Sequence, residues 1–244
     1  MSRAPLVIAH RGASAERPEN TLPAYERAIE LGADMIEIDL HRTRDGAIAV
    51  LHDAALERIG GRGEVGDATW EELRSLDAGG GARVPSLDEV LDAFGARIPF
   101  NLELKCAERG PYPDLERRTL EAVGRRGLLA RTLFSCFEDP VLAQLRSLAP
   151  EARLALLVSP ESRERALARA REIGAEALNP WFGLAERGLV EAAHAAGLAV
   201  YPYTVDDPER MRALLALGVD GLFTNRPDRL RRILASPGET RDPI

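Results

Sequence analysis

Five side chains in this 244-residue chain have the types and the spacing to work as one reaction centre: His10, His52, Glu37, Asp39 and Glu103. The densest pattern is Met35-Ile36-Glu37-Ile38-Asp39-Leu40-His41. Side chains alternate along an extended strand, so Ile36, Ile38 and Leu40 take one face and Glu37, Asp39 and His41 the other. Phe100-Asn101-Leu102-Glu103-Leu104-Lys105 repeats the alternation and groups Asn101, Glu103 and Lys105. If the apolar faces meet helices, three carboxylates converge in the interior or mouth of a barrel, where negative charge is costly without a neutralising cation. Oxygen-only ligation suits a hard divalent ion, Mg²⁺ or Ca²⁺, better than zinc, which prefers nitrogen and sulfur. The competing arrangement is salt bridging to Arg11 and Lys105.

His10 ends the first apolar run, and His52 ends another that can fold back toward the carboxylates. Displacement at phosphorus needs one group to take a proton from the nucleophile and another to protonate the leaving oxygen, and two imidazoles can do both near neutral pH. The alternative is a pair of hydrogen-bonded structural imidazoles; the three acids beside them favour catalysis. Arg11 and Lys105 flank the centre, placed to hold phosphate oxygens and to stabilise transition-state charge. Lys105 is the only lysine in a chain otherwise supplied with Arg, and a compact ammonium is not reproduced by a planar guanidinium. His41 shares the Glu37 face but belongs to a hairpin stem, and His194 lies in a helical run, so neither enters the catalytic set.

These residues need elements that bring them to one mouth. Eight β-like runs recur: Leu6 to His10, Met35 to His41, Phe100 to Lys105, Leu133 to Phe137, Leu154 to Val158, Ala177 to Pro180, Ala199 to Tyr203 and Gly221 to Thr224. Helix-period segments separate them: Leu22 to Leu31, Asp114 to Arg126, Pro140 to Leu148, Ser162 to Ile173, Leu184 to Ala196 and Pro208 to Leu217. Strand followed by helix, repeated, implies parallel pairing, and eight units close into an α/β (β/α)8 TIM barrel. A ninth run, Ala47 to His52, follows the second strand too closely for a parallel crossover, so Asp45-Gly46 must turn a hairpin. That turn brings His52 level with Glu37 and Asp39.

The glycine-dotted stretch from Asp53 to Gly81, with one short helix at Thr69 to Leu76, extends this hairpin into a small cap-like insertion at about 47–85 within a single domain spanning 1–244. Ser86 with Glu89 three residues on is a capping box that restarts the barrel helices. Pro18-Glu19-Asn20-Thr21 precedes the first helix; Asn20 or Thr21 can cap it, and the loop lines the mouth beside His10.

Composition excludes other classes. A formal net charge of −7 argues against a nucleic-acid backbone surface. No apolar run approaches the ~20 residues needed to cross a bilayer, so no stable membrane insertion is expected. Met1 leads directly into Leu6-Val7-Ile8-Ala9, too short for a signal-peptide core, and a cytoplasmic location is expected. Cys106 and Cys136 lack C-x-x-C spacing and are expected as buried, reduced thiols.

Taken together, His10-Arg11-Gly12, Pro18-Glu19-Asn20-Thr21, Glu37-x-Asp39, Asp45-Gly46, His52-Asp53 and Glu103-x-Lys105 resemble the glycerophosphodiester phosphodiesterase family. Pro202-Tyr203-Thr204-Val205-Asp206 and Asp220 through Asp228 resemble its closing strands, so the likeness spans nearly the whole chain. It implies a barrel with a small insertion after the second strand, a divalent metal at Glu37, Asp39 and Glu103, and acid–base work by His10 and His52. It further implies the substrate class: deacylated phospholipids such as glycerophosphocholine or glycerophosphoethanolamine, hydrolysed to sn-glycerol 3-phosphate and an alcohol. Glu19, Asn20 and Tyr203 join as candidates to contact that small molecule.

Tyr203 stands where relatives often carry Trp, keeping an aromatic wall and adding a hydroxyl that could alter recognition. Cys136 stands where a second serine is frequent, with little functional effect expected. Trp181 and Phe182 either form another wall or pack beneath their loop. A lysophospholipase D-like or phosphoinositide phosphodiesterase would need lipid access, for which no basic amphipathic segment is evident. A non-catalytic phosphodiester-binding barrel is disfavoured by the intact acids, histidines and lysine.

Overall fold

Strand–helix alternation resolves into a parallel barrel in a computed structural model that describes residues 4–108 and 110–236. Its strands are Leu6–His10, Met35–Arg42, Phe100–Leu104, Thr132–Cys136, Arg153–Val158, Ala177–Pro180, Ala199–Val200 and Gly221–Thr224. Each pairs with its neighbour in sequence up to the seventh, and the first pairs with the last through Leu6↔Gly221 and Ala9↔Thr224. At the seam between the seventh and eighth strands, Asp220 N–H donates to Val200 O and Phe223 N–H to Pro202 O, each at 3.0 Å. The strand expected to run to Tyr203 is regular only to Val200. Pro202 has no N–H to extend the ladder, although Tyr203 N–H still reaches Pro180 O at 3.0 Å.

The helices packed around the strands are Leu22–Glu30, Leu87–Phe94, Leu115–Gly124, Asp139–Leu148, Ala166–Ile173, Arg187–Ala195, Pro208–Ala216 and Pro227–Ala235. Outward strand side chains such as Val7, Ile36, Ile38, Leu102 and Phe134 are buried beneath them. The segment expected to be helical from Ser162 starts only at Ala166, because Arg165 takes a left-handed conformation at φ 52°. The last helix was not among the expected ones. Its marks are Pro227 in the first turn, a position that needs no N–H, and the period-spaced Leu230, Ile233 and Leu234.

Inside the barrel, Ile8, Met35, Leu133, Ala155, Ala177 and Phe223 form an apolar floor. Burying side chains of this size stabilises by about 1.5–3 kcal/mol each for the larger ones. The same alternation that turns Ile8 and Met35 inward turns His10, Glu37, Asp39, Asn101 and Glu103 inward above the floor. Register completes the arrangement: His10 pairs with Glu37, Glu37 with Asn101, and Asp39 with Glu103. A one-residue slip would send all of them to the helix side.

The hairpin forms as expected. Ile48–Val50 runs antiparallel to the second strand, with Leu40 opposite Val50, and Gly46 in the turn has φ 90°. Leu51 N–H then donates to Asp39 O at 3.1 Å, which delivers His52 beside the carboxylates. The following stretch has its own apolar cluster, including Leu51, Leu56, Ile59, Val65, Leu73 and Val84, and a capped helix at Trp70–Arg74. Ser86 and Glu89 make both bonds of the expected capping box. Cys136 is buried, but Cys106, beyond the strand end, is only half-buried; both thiols are free. Among the described residues, no helix is long and apolar enough to cross a membrane.

Candidate active site

The carboxylates of Glu37, Asp39 and Glu103 are buried, and each offers an oxygen within 4.8 Å of the others. Asp39 is the most fully engaged. Its Oδ1 meets Lys105 Nζ at 2.9 Å, while its Oδ2 accepts from Asn20 Nδ2 at 2.7 Å and lies 3.3 Å from Arg11 Nε. Burial opposes ionisation there, but Lys105 and then Arg11 hold the Asp39 carboxyl below the ordinary carboxylate range. Lys105 also bonds Glu103 Oε1. Glu37 is different: Oε2 accepts the Arg11 backbone N–H at 2.9 Å, and Oε1 is buried with no hydrogen-bond partner. Burial, followed by Asp39 and Glu103, pushes Glu37 well above the ordinary range, and burial also raises Glu103.

This imbalance bears on a metal. Both expected salt bridges exist, yet Arg11 and Lys105 supply two positive charges against three carboxylates. One buried oxygen, Glu37 Oε1, remains unanswered. A hard divalent ion fits that donor set and would act against the upward shifts of Glu37 and Glu103. With such an ion the cluster would carry a single net positive charge, matching a phosphodiester monoanion.

Two histidines face this cluster. His10 Nδ1 lies 2.8 Å from Asn225 Oδ1, and burial, then Arg11, lowers its pKa to about 4. His52 Nδ1 lies 2.6 Å from Asp53 Oδ1. Both side chains line one cavity of about 180 Å³ with Arg11, Glu37, Glu103, Lys105 and Tyr203; Phe137, Leu157, Thr204 and Phe223 complete its wall. With each Nδ1 engaged, Nε2 is the ring nitrogen left for the cavity.

The loop after His10 is bent tightly to achieve this. Arg11 and Asn20 both have positive φ, 58° and 56°, and Asn20 N–H donates to Arg11 O at 3.0 Å. Gly12 has φ 83°, and a Cβ there would stand 2.8 Å from Ala24 backbone atoms, so only glycine fits. Thr21 takes the N-cap position of the first helix, as expected, but its side chain makes no capping bond. Thr21 Oγ1 instead donates to Pro18 O at 2.6 Å. Pro23 in the first helical turn leaves one fewer donor to satisfy, and Asn20 is free to bond Asp39.

Two expected substrate contacts lie elsewhere. Asn20 is buried behind Asp39, and Glu19 joins a rim of ion pairs in which its two oxygens receive Arg11 at 3.0 Å and Arg58 at 2.6 Å. Arg58 continues to Asp53 at 2.6 Å, linking the insertion to the His52 side. Neither Glu19 nor Asn20 lines the cavity. Tyr203 does, but its hydroxyl donates to Val158 O at 3.2 Å, so the ring rather than the hydroxyl faces a ligand. Its ring meets Phe137 edge-on at 6.0 Å. Trp181 and Phe182 pack on each other at 4.9 Å, outside the cavity wall.

Sequence reasoning left Asp206, Asn225 and Ser14 without roles. Asp206 and Asn225 follow the last two barrel strands, the end at which barrel sites are built, and that position was the available signal. His194 pairs with Asp220 at 2.9 Å, away from the cavity.

A model of the glycerophosphoryl diester phosphodiesterase family matches residues 10–229. The glycerophosphodiester phosphodiesterase of Caldanaerobacter subterraneus subsp. tengcongensis is 36% identical over an alignment that covers 96% of this chain and 99% of that protein. Among solved structures, glycerophosphodiester phosphodiesterase from Agrobacterium tumefaciens is 31% identical, with a TM-score of 0.82 over 93% of this chain and 99% of that one. An Oleispira antarctica phosphodiesterase, solved in complex with the product sn-glycerol-3-phosphate, is 29% identical, with a TM-score of 0.85 over 96% and 98% of the two chains.

Proposed function

The chain belongs to the glycerophosphoryl diester phosphodiesterase family, and from that premise we propose that it hydrolyses glycerophosphodiesters to sn-glycerol 3-phosphate and an alcohol. The observation that carries the reading is the convergence of two imidazoles, two fixed cations and two members of a buried acidic triad, Glu37 and Glu103, on one cavity, with the third member, Asp39, behind them. At about 180 Å³ that cavity is smaller than the ~300–1,000 Å³ of pockets that enclose drug-sized ligands. Its size favours deacylated headgroup esters over substrates that keep an acyl chain.

Glu37, Asp39 and Glu103 would hold Mg²⁺ or Ca²⁺. Bound there, a divalent ion supplies Lewis-acid polarisation of oxygen. Arg11 and Lys105 line the same cavity and balance the charge of the phosphate oxygens. One imidazole accepts at Nε2 the proton of the attacking hydroxyl: a water gives glycerol 3-phosphate directly, whereas the glycerol 2-hydroxyl gives a cyclic phosphate that a water must then open. The other delivers a proton from Nε2 to the departing alkoxide, and the two contribute ~10²–10⁴-fold each in such roles. Their partners differ: His10 is backed by a neutral amide oxygen and His52 by a carboxylate. Burial lowers the His10 pKa to about 4 and keeps that ring neutral, as a base requires before the reaction, so His10 is assigned as base and the other imidazole, His52, as acid. Phe137 and Tyr203 present apolar faces to the carbon atoms of the substrate.

The test is release of glycerol 3-phosphate from glycerophosphocholine and glycerophosphoethanolamine with added Mg²⁺ or Ca²⁺, after chelation, and after metal is restored. Release that chelation abolishes and metal recovers supports the proposal. A folded, metal-loaded protein that releases nothing from either ester, yet cleaves a lysophospholipid, overturns it.

A further inference from the structure

The cavity explains what faces the substrate, but not what fixes the ring of His10 from behind. Behind it lies a chain of side chains from the ends of three strands. His10 Nδ1 lies 2.8 Å from Asn225 Oδ1, and Asn225 Nδ2 donates to Asp206 Oδ2 at 2.7 Å. The Asp206 carboxylate is held in turn: Oδ1 accepts from Asn225 N–H at 2.8 Å and from Thr224 Oγ1 at 2.9 Å.

These contacts settle which way the Asn225 amide points. An ionised carboxylate only accepts hydrogen bonds. Turning the amide over would set its oxygen against Asp206 and its NH₂ against His10, opposing two acceptors at a distance of 2.7 Å. The amide oxygen therefore faces His10, where Ser14 Oγ also lies within 2.7 Å of it. An amide oxygen cannot donate, so Nδ1 must carry the proton of a neutral His10 ring. Nε2 is then the lone pair presented to the cavity.

We propose that Asp206 and Asn225 are positioning residues for catalysis, fixing His10 as its Nδ1–H tautomer so that Nε2 is available to take the proton of the attacking hydroxyl. Neither touches substrate; both act through His10. This rests on the phosphodiesterase reading for its consequence in turnover, but not for the tautomer itself. A merely structural role is the natural rival, because the same carboxylate bridges the barrel seam, where the seventh and eighth strands share no ladder. The two roles predict different results.

The experiment is ¹⁵N NMR of the histidine side chains in the full-length protein, without substrate, alongside kcat and KM. Wild type should show His10 as the Nδ1–H form. In Asp206→Asn, one carbonyl oxygen must serve three donors, so Asn225 can turn over and present its NH₂ to His10. Nδ1 then becomes an acceptor and the proton moves to Nε2. Turnover should fall ~10²-fold or more, as for a general base held in the wrong tautomer, with KM changed far less.

The exchange variant D206N/N225D restores each bond with the roles reversed. The amide at 206 donates to the carboxylate at 225, which accepts from His10 Nδ1–H. It should recover the Nδ1–H signature and at least tenfold of the lost turnover. A wild-type ring in the Nε2–H form overturns the proposal without any variant. It is also overturned if D206N loses turnover while the tautomer stays unchanged, or if the exchange restores thermal stability but not the tautomer. If wild type releases no glycerol 3-phosphate but the tautomer responds as described, the phosphodiesterase reading fails and the positioning of His10 stands.

Discussion

His41 Nε2 lies 3.0 Å from the backbone carbonyl oxygen of His52, while His41 Nδ1 lies 2.9 Å from Tyr112 Oη. A carbonyl only accepts, so Nε2 carries the proton and Nδ1 accepts from the tyrosine. The strand that bears Glu37 and Asp39 thus holds the segment that bears His52. His41 is buried, its ring meets Tyr112 edge-on at 5.5 Å, and burial lowers its pKa to about 4. It is a neutral strut, separate from the cavity-facing pair.

His41→Ala should therefore act at a distance. It leaves the Tyr112 hydroxyl and the His52 carbonyl without their partner, at ~1–3 kcal/mol for a buried polar group. Urea unfolding reads that loss. Turnover should fall by about tenfold, because a misplacement near 1 Å is costly in an active site, and by less than in His52→Ala. Unchanged turnover in a measurably destabilised variant would confine His41 to stability.

The same burial makes stability depend on pH. The folded His41 pKa of about 4 lies below its ordinary value of 6.5. Between these values the unfolded chain binds a proton that the folded chain refuses, so stability rises with pH across this window and falls as pH drops toward 4. One histidine contributes a slope of up to ~1.4 kcal/mol per pH unit. His10 acts in the same direction, whereas Glu37, raised well above its ordinary value, acts oppositely. The His41 share is isolated by comparing wild type with His41→Gln in urea titrations from pH 4 to 6.5. The variant should show the shallower slope.

How much of this was legible beforehand follows from the range of each contact. Glu37, Asp39 and Glu103 could be placed together because alternation within a strand is local and adjacent strands share the barrel's direction. His52 followed from Asp45-Gly46, a two-residue turn signal. The Asn225 contact to His10 joins positions 215 apart and exists only because the barrel closes; no local pattern encodes it. Asn20 misled for another reason. Its residue type suits a helix cap and a buried amide equally, and the choice was made by Asp39, 19 residues away. Glu19 likewise found Arg58 of the insertion, 39 residues on, and the Tyr203 hydroxyl found Val158.

The acidic triad separates metal binding from salt bridging when its members are neutralised one at a time. Glu37 has the unpartnered oxygen and the raised pKa, so Glu37→Gln should leave the metal-free protein as stable as wild type or more so. It should also lose most of the rise in melting temperature that saturating Mg²⁺ or Ca²⁺ gives wild type. Asp39→Asn should be less stable even with chelator, because it removes a charge on which Lys105 and Arg11 depend. Breaking such a buried pair costs about 3–5 kcal/mol. Thermal melts with chelator and with metal distinguish them; equal melting temperatures for both variants under chelation would contradict this division.

Tyr203 offers the cavity a ring, and its hydroxyl is engaged by Val158 O at 3.2 Å. Tyr203→Phe should therefore lose ~0.5–1.5 kcal/mol of stability, the net value of one hydrogen bond, while kcat/KM on glycerophosphocholine stays within about threefold of wild type, a change of under 1 kcal/mol. Tyr203→Ala removes the ring and its edge-on contact with Phe137, itself worth about 0.5–1.5 kcal/mol, and opens the apolar wall to water. Its defect should appear mainly in KM, since a wall that contacts carbon atoms binds ground state and transition state alike. A tenfold loss of kcat in Tyr203→Phe would instead mean that the hydroxyl leaves Val158 and bonds the substrate during the reaction, and the ring alone would no longer account for this residue.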